Sequence, residues 1–209
     1  MLIVILLVAI AFIVISTSKW KLHPFLALLI AAYGIAFSVG MKYADIAKTI
    51  TQGFGGILAY IGIVIVLGTI IGVILERSGA AIQMANAVLK VVGKKRPVLA
   101  MSIIGYIVSI PVFCDSGFVI LNALKRSMVK QLKVSGVAMS VALATGLYAT
   151  HTLVPPTPGP IAAAGNLGVT NLGMVIVVGL FVAFFTMMAG YYWAIKRGSV
   201  YKSGEDLDI

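Results

Sequence analysis

The chain alternates between long apolar runs and short polar connections over its whole length. The apolar segments are Leu2–Ile15, Pro24–Val39, Gly53–Leu75, Val98–Leu124, Val134–Leu167 and Gly173–Ile195. Runs of that length, nearly free of charge, predict membrane helices rather than the half-polar helices of a water-soluble core. The first two are short for a bilayer that takes about 20 residues, so they must stand upright or thin the membrane. In Gly53–Leu75, Gly68 and Gly72 stand four apart, the spacing that lets helices approach closely, and tight packing is their expected role. Between Ser78 and Lys90 runs a shorter amphipathic stretch flanked by cations, predicted to be an interfacial helix on the cytoplasmic surface.

Two of the apolar segments are interrupted. Val134–Leu167 contains Pro155-Pro156-Thr157-Pro158, and proline both lacks an N–H and clashes with the preceding turn, so no continuous helix passes through it. Open backbone at membrane depth is tolerated only where protein or a watered cavity surrounds it, and broken helices of this kind hold the substrates of secondary transporters. Val98–Leu124 carries Pro111-Val112-Phe113-Cys114-Asp115-Ser116-Gly117, where Pro111 disfavours helix at Ile110 and Gly117 permits a sharp turn. A first arm of about 16 residues reaches roughly 24 Å, short of a hydrocarbon core of about 30 Å. The tip of such a re-entrant hairpin would lie inside the membrane, near the depth of the other break.

Charge decides between a hairpin and a full crossing. The chain holds 16 Lys and Arg against 6 Asp and Glu among 209 residues. A hairpin over 98–124 places fourteen of the cations on one side and leaves only Lys42 and Lys48 on the other; a full crossing splits them seven against nine. The positive-inside rule favours the hairpin, with the N-terminus outside and the C-terminus cytoplasmic. Met1–Ser16 has no positive n-region and its cations Lys19 and Lys21 follow the apolar run, so a retained span is expected rather than a signal peptide.

Composition removes several classes of function. The chain is 61% hydrophobic and 11% charged, with mean hydropathy +1.10, which identifies an integral membrane protein. The net charge of +10 lies in short connections and speaks for membrane orientation, not nucleic acid. The single Cys114 excludes an intrachain disulfide. One buried-type aspartate and one histidine are too few for a metal site, and no cofactor is called for. No second intramembrane carboxylate or nucleophile–base pair supports an enzyme, and nothing resembles a channel's selectivity filter.

Asp115 is the only acidic residue deep in an apolar segment. A carboxylate there costs about 2.5–3.5 kcal/mol or more, making it a candidate proton carrier, with capping of the second hairpin arm as the alternative role. His151, between two threonines in the broken segment, is either a ligand or proton group or a core histidine. His23, beside Pro24, reads as structural. Thr157-Pro158 has the form of a helix start, with Gly159-Pro160 as an alternative; Ser116 would open the second hairpin arm in the same way. Two helix N-termini converging at mid-depth would receive a carboxylate without a buried arginine. Thr150, Thr152, Thr157 and Ser116 add hydroxyls suited to a polyol, and Asn166 either joins them or caps its helix.

These two stretches, Ser109–Phe118 and Gly146–Pro160, resemble the gluconate permease (GntP) family of sugar-acid:proton symporters, and the spacing of the whole chain fits as well. The resemblance implies an all-α fold of the ion-transporter superfamily: two inverted repeats, each with scaffold helices, a re-entrant helical hairpin and a broken transmembrane helix. It implies a bacterial inner-membrane importer of gluconate or a related small hydroxylated carboxylate, with a proton. On that pattern, residues 1–97 are scaffold helices plus the interfacial helix. Residues 98–173 are the transport region, with the hairpin at 98–124 and the broken helix at 134–168, and 174–209 are the last helix and a cytoplasmic tail. The substrate region it implies comprises Asp115, Ser116, Gly117, Thr150, His151, Thr152, Thr157, Pro158 and Gly159, with Asp115 and His151 as proton-coupling candidates. Family members are about twice this long, so the chain matches the N-terminal repeat alone. The expected partner is therefore a C-terminal half or an oligomeric mate, and an assembly subunit that does not itself transport is the alternative.

Overall fold

A computed structural model of the chain describes residues 1–93, 95–201 and 203–204. Lys94, Lys202, Glu205, Asp206 and Asp208, counted above among the charges, lie outside the described residues. All regular elements among the described residues are helical. The chain divides into two compact units, Met1–Ala59 and Tyr60–Ile209, with the boundary inside one long helix.

In the first unit, α1 (Leu2–Ser18) and α2 (Pro24–Ser38) pack against each other. Small residues line the buried faces: Ala9 and Ser16 on α1, Ala27, Ala31 and Ala36 on α2. The His23 side chain caps α2, its Nδ1 accepting from the Phe25 N–H at 3.3 Å, with Pro24 at the first helical position. That is the structural role expected of it. The 35-residue α3 (Tyr43–Arg77) begins well before the apolar segment, with Asp45 in its first turn. Lys48 therefore lies in a helix rather than in a connection. An acidic residue at the positive end of the helix favours starting there.

The second unit is built around α7 (Gly136–Leu153), which packs on α5 (Pro97–Val108), α6 (Cys114–Leu132) and α9 (Leu172–Lys196). Met139, Ala142, Leu143 and Leu147 of α7 are fully buried with Met101, Ile104 and Val108 of α5. The two backbones nearly touch: a Cβ on Gly105 would sit 2.6 Å from the Leu143 carbonyl oxygen, and one on Gly146 would collide with that of Ser102. With little hydrophobic drive between helices in lipid, contacts of this closeness supply the association by dispersion.

Between α3 and α5 runs α4 (Ala80–Val92), whose Ala81 and Ala85 are buried against the core, with Met84 and Val88 beside them. The direction of the chain turns 72° between Ile65–Arg77 and Ala80–Val92. Two helical stretches among the described residues are long and apolar enough to cross a membrane, Gly136–Asn166 and Leu172–Val200, or three if the bent pair counts as one. On α9, Val177, Phe181 and Phe185 are more than half exposed, a continuous apolar face that suits lipid.

The α5–α6 segment departs from the expected boundaries in two ways. The first arm is 12 residues, and the second does not stop near Leu124 but continues to Leu132. Lys125 is thus not a connection cation: it is 3% exposed, and its Nζ donates to Ser140 Oγ on α7 at 2.9 Å. Leu121, Met128 and Val129 on the same face carry the helix onward by burying apolar surface.

Candidate functional site

The polypeptide leaves helix at two places in the second unit. Between α5 and α6, residues 109–113 form a tight turn held by the Ser109 hydroxyl donating to the Val112 carbonyl at 3.3 Å. Between α7 and α8 (Pro158–Asn166), residues 154–157 are non-helical, and the Pro155–Pro156 bond is cis. There the Thr157 hydroxyl donates to the Val154 carbonyl at 2.7 Å, giving that freed oxygen a partner.

These two irregular segments meet. Residues 110–113 and 156–158 line one small cavity together with Ile65, Gly68 and Thr69 of α3. Its volume is about 10 Å³, room for a single water. The glycines of α3 fit the two segments against the helix: a Cβ on Gly68 would lie 3.6 Å from Pro156, and one on Gly72 only 3.0 Å from the Pro111 carbonyl. Close packing, the role expected of this pair, is what they perform, and the surfaces they accommodate are the turn and the break.

Helix α6 starts at Cys114, with Phe113 as its extended N-cap, so Ser116 is not the cap but the third helical residue. The start is drawn forward by tertiary contact, since the Phe113 ring packs on His151 of α7 at 5.7 Å between centroids. Asp115 stands in the first turn without capping it through its side chain. Helix α8 starts where expected, with Thr157 as N-cap and Pro158 at the first position; the alternative start at Gly159-Pro160 is not used.

The structure groups the acid and the histidine and adds a residue that was not anticipated. The Tyr148 hydroxyl donates to Asp115 Oδ1 at 3.0 Å, and the Cys114 thiol lies 3.8 Å from the same oxygen. Tyr148 precedes His151 by three residues and so shares its face of α7, which is the only trace of it in the sequence. His151 is half-buried, and its Nδ1 is buried with no hydrogen-bond partner. Asp115 itself is exposed.

The threonines divide. Thr150 is fully buried and donates to the Tyr106 carbonyl at 2.9 Å, tying α7 to α5, while the Tyr106 hydroxyl donates to the Leu180 carbonyl at 2.7 Å and reaches α9. Thr157 is 6% exposed. Thr152 is exposed, its hydroxyl donating to the Tyr148 carbonyl at 2.7 Å. Ser116 is half-buried, Gly117 buried against Leu147, and Gly159 exposed with open space around it. In this conformation the groups with outward access are therefore Asp115, Tyr148, Thr152 and Gly159, with Ser116, His151 and Pro158 partly open. The Asn166 side chain makes no cap of its own, because α8 ends in a turn closed by Leu167 and Gly168.

The two helix starts differ in donor content. The first four N–H groups of a helix have no partner within it. At α6 these belong to Phe113, Cys114, Asp115 and Ser116; at α8 two of the four positions are Pro158 and Pro160, leaving Thr157 and Gly159. No cluster of three or more His, Cys, Asp or Glu side chains able to hold a metal occurs among the described residues.

Residues 1–202 match the model of the GntP family permeases. An uncharacterized permease of Haemophilus influenzae is 44% identical over 183 residues, which are 88% of this chain and 37% of the relative. A gluconate permease of Pseudomonas aeruginosa is 37% identical over 180 residues, 86% of this chain and 40% of the relative. The D-serine transporter DsdX of Escherichia coli K12 is 37% identical over 185 residues, 88% and 41% respectively. The chain thus spans about two fifths of the length of the curated relatives it matches. No solved structure matches it significantly.

Proposed function

The chain belongs to the GntP permease family, and from that premise we propose that it carries one half of the machinery for importing a small hydroxylated carboxylate, gluconate or a close relative, with a proton. It sits in the bacterial inner membrane, N-terminus outside and C-terminus cytoplasmic. The α5–α6 pair acts as a re-entrant hairpin and α7–α8 as a broken membrane helix. The observation that carries this reading is the meeting of the turn and the break, which brings the N-cap residues of two helices, Phe113 and Thr157, to one small cavity.

The chemistry of coupling follows from Asp115. An ionised carboxylate in the first turn of α6 occupies the positive end of the helix and repels a second carboxylate. Once protonated it no longer competes, and the four N–H groups can take up the substrate anion. Proton and substrate then enter together, with Tyr148 holding the aspartate in place and His151 as the second candidate proton group. The hydroxyls of Ser116 and Thr152 and the N–H of Gly159 face the polyol; Gly117 and Pro158 shape the helix starts, and Thr150 and Thr157 hold the backbone around them.

A second reading is an assembly subunit that binds a complementary portion without itself binding substrate. Both are tested by uptake of labelled gluconate into proteoliposomes under an imposed pH gradient, with the chain alone and with the C-terminal portion of a relative. Gradient-driven, saturable uptake in either case supports a carrier. Uptake only with the added portion fits both readings; gluconate binding by the chain itself in a titration then selects the first, binding of the added portion without gluconate the second, and unsaturable flux insensitive to competing sugar acids would sink both.

A further inference from the structure

The corner between α4 and α5 carries charge that its own helices do not explain. From Arg77 to Cys114 the chain holds Arg77, Lys90, Lys94, Lys95 and Arg96 and not one Asp or Glu. Arg77, Lys90, Lys95 and Arg96 are exposed, and among the described residues none of their side chains has a hydrogen-bond or ion-pair partner. Arg77 and Lys90 stand in the last turns of α3 and α4, where a cation complements the helix dipole. Lys95 and Arg96 stand at the opposite kind of end: Arg96 is the N-cap of α5, which starts at Pro97 and has no acid in its first turn. Positive charge there opposes the dipole, and two cations side by side repel each other.

An apolar side chain projects from the same corner. Helix α4 buries Ala81 and Ala85 and turns Gln83, Ala87 and Lys90 outward. Val91, beside Lys90, is 88% exposed, against 68% for Val177 on the lipid-suited face of α9. Gly93, with a φ of 77°, ends α4, and α5 begins four residues later, so Lys90, Val91, Lys95 and Arg96 share one short connection. Water is a poor neighbour for Val91, and lipid tails are a poor one for the cations. The headgroup layer suits both, because it offers phosphates to the cations and the first acyl carbons to the valine.

We infer that this corner is a docking surface for anionic phospholipid headgroups. Val91 enters the boundary between headgroups and acyl chains, and Lys90, Lys95 and Arg96 draw phosphates to it, with Arg77 at the other end of α4. In the topology proposed above the corner faces the cytoplasmic leaflet, and α5, the first hairpin arm, starts from it. The surface thereby fixes the depth at which that arm enters the membrane. The inference requires only that the chain lies in a bilayer and uses no residue of the substrate site. Each lysine or arginine near an anionic surface strengthens association about fivefold, so the three corner cations together favour an anionic lipid over a zwitterionic one by about 10²-fold at most.

The test is quenching of tryptophan fluorescence by lipid. In a chain with Trp20→Phe and Trp193→Phe, which leave no native tryptophan, Val91→Trp reports on the corner and Val177→Trp on the lipid face of α9. Each is reconstituted in phosphatidylcholine bilayers containing phosphatidylglycerol, with bromine on the acyl chains of one lipid or the other. At position 91 brominated phosphatidylglycerol should quench beyond its share of the bilayer, giving an association constant at least about tenfold above that of phosphatidylcholine. At 177 each lipid should quench in proportion to its share. Lys90→Gln, Lys95→Gln and Arg96→Gln together should bring position 91 to the same proportionality, and the paired change of Lys42→Gln and Lys48→Gln should not. No quenching at 91 by either lipid would overturn the inference, showing the corner to face water or protein. Proportional quenching at 91 before the cations are changed would overturn it as well, leaving Val91 in lipid with no headgroup selected. The measurement needs no substrate, so its failure leaves the uptake reading standing, and failure of uptake leaves the docking surface.

Discussion

The two helix starts that face the shared cavity look equivalent in a diagram and are not. At α6 four N–H groups and a carboxylate sit in the first turn. At α8 prolines hold two of the four positions, and no acid accompanies them. Proline pre-sets the backbone for a helical start and removes donors. The start of α6 therefore offers four N–H donors beside an exposed carboxylate, and that of α8 only two, at Thr157 and Gly159, on a backbone stiffened by proline. Helix α3 treats them differently too. Gly72 lies so close to the turn that a methyl group would press on the Pro111 carbonyl, whereas Gly68 has ordinary van der Waals room before Pro156.

That contrast can be broken at four positions. Asp115→Asn should have the largest effect. It keeps the size of the side chain and removes its charge change, so uptake should lose its dependence on the pH gradient, a fall of about 10²-fold or more if a proton-transfer group is lost. Wild-type gradient-driven uptake in this variant would return Asp115 to a role in the helix start alone. Gly72→Ala comes next. Its Cβ would lie 3.0 Å from the Pro111 oxygen, and displacing the turn should cost about 1–3 kcal/mol, read as a lower melting temperature of the purified protein and weaker gluconate binding.

Tyr148→Phe removes a hydrogen bond to Asp115 and no packing. A bond to a charged group contributes about 1.5–3 kcal/mol, so roughly ten- to hundredfold weaker uptake is the upper limit, less because both groups are exposed. A shift in the pH profile of uptake separates positioning of the acid from simple loss of fold. Gly68→Ala should have the smallest effect, within about 0.5 kcal/mol in thermal stability, because its new methyl meets Pro156 at contact distance. If Gly68→Ala proves as damaging as Gly72→Ala, the turn and the break are equally constrained and the asymmetry drawn here is wrong.

Much of this site was legible in the order of residues. Three prolines within four positions forbid helix wherever they fall, so the break between Leu153 and Pro158 needed no tertiary information. Pro111 marked the turn for the same local reason, but the turn occupies 109–113 rather than the 111–117 expected, and Asp115, Ser116 and Gly117, the glycine expected to allow a sharp turn, lie within α6. The start of α6 was less legible, because Ser116 and Asp115 are both good caps and neither is used; the packing of Phe113 on His151 selects an earlier residue with no capping side chain. Lys125 reads as a loop cation until the buried face of α6 is seen to carry it inward to Ser140. Thr150 and Thr157 read as ligand hydroxyls, and the structure directs both to backbone carbonyls.

What the sequence by itself determined is wherever the main chain is prohibited or compelled: the apolar runs, the break at the prolines, the turn at Pro111, the close-packing glycines of α3. Those constraints act within a few residues and travel with the chain. Which groups meet was decided only by tertiary structure. Tyr148 reaches Asp115 across 33 residues because α7 is pressed onto α5 at Gly105 and Gly146 and onto α6 where Gly117 meets Leu147. A hydrogen bond between side chains on different helices depends on their rotation and depth, and those are set by packing over the whole unit.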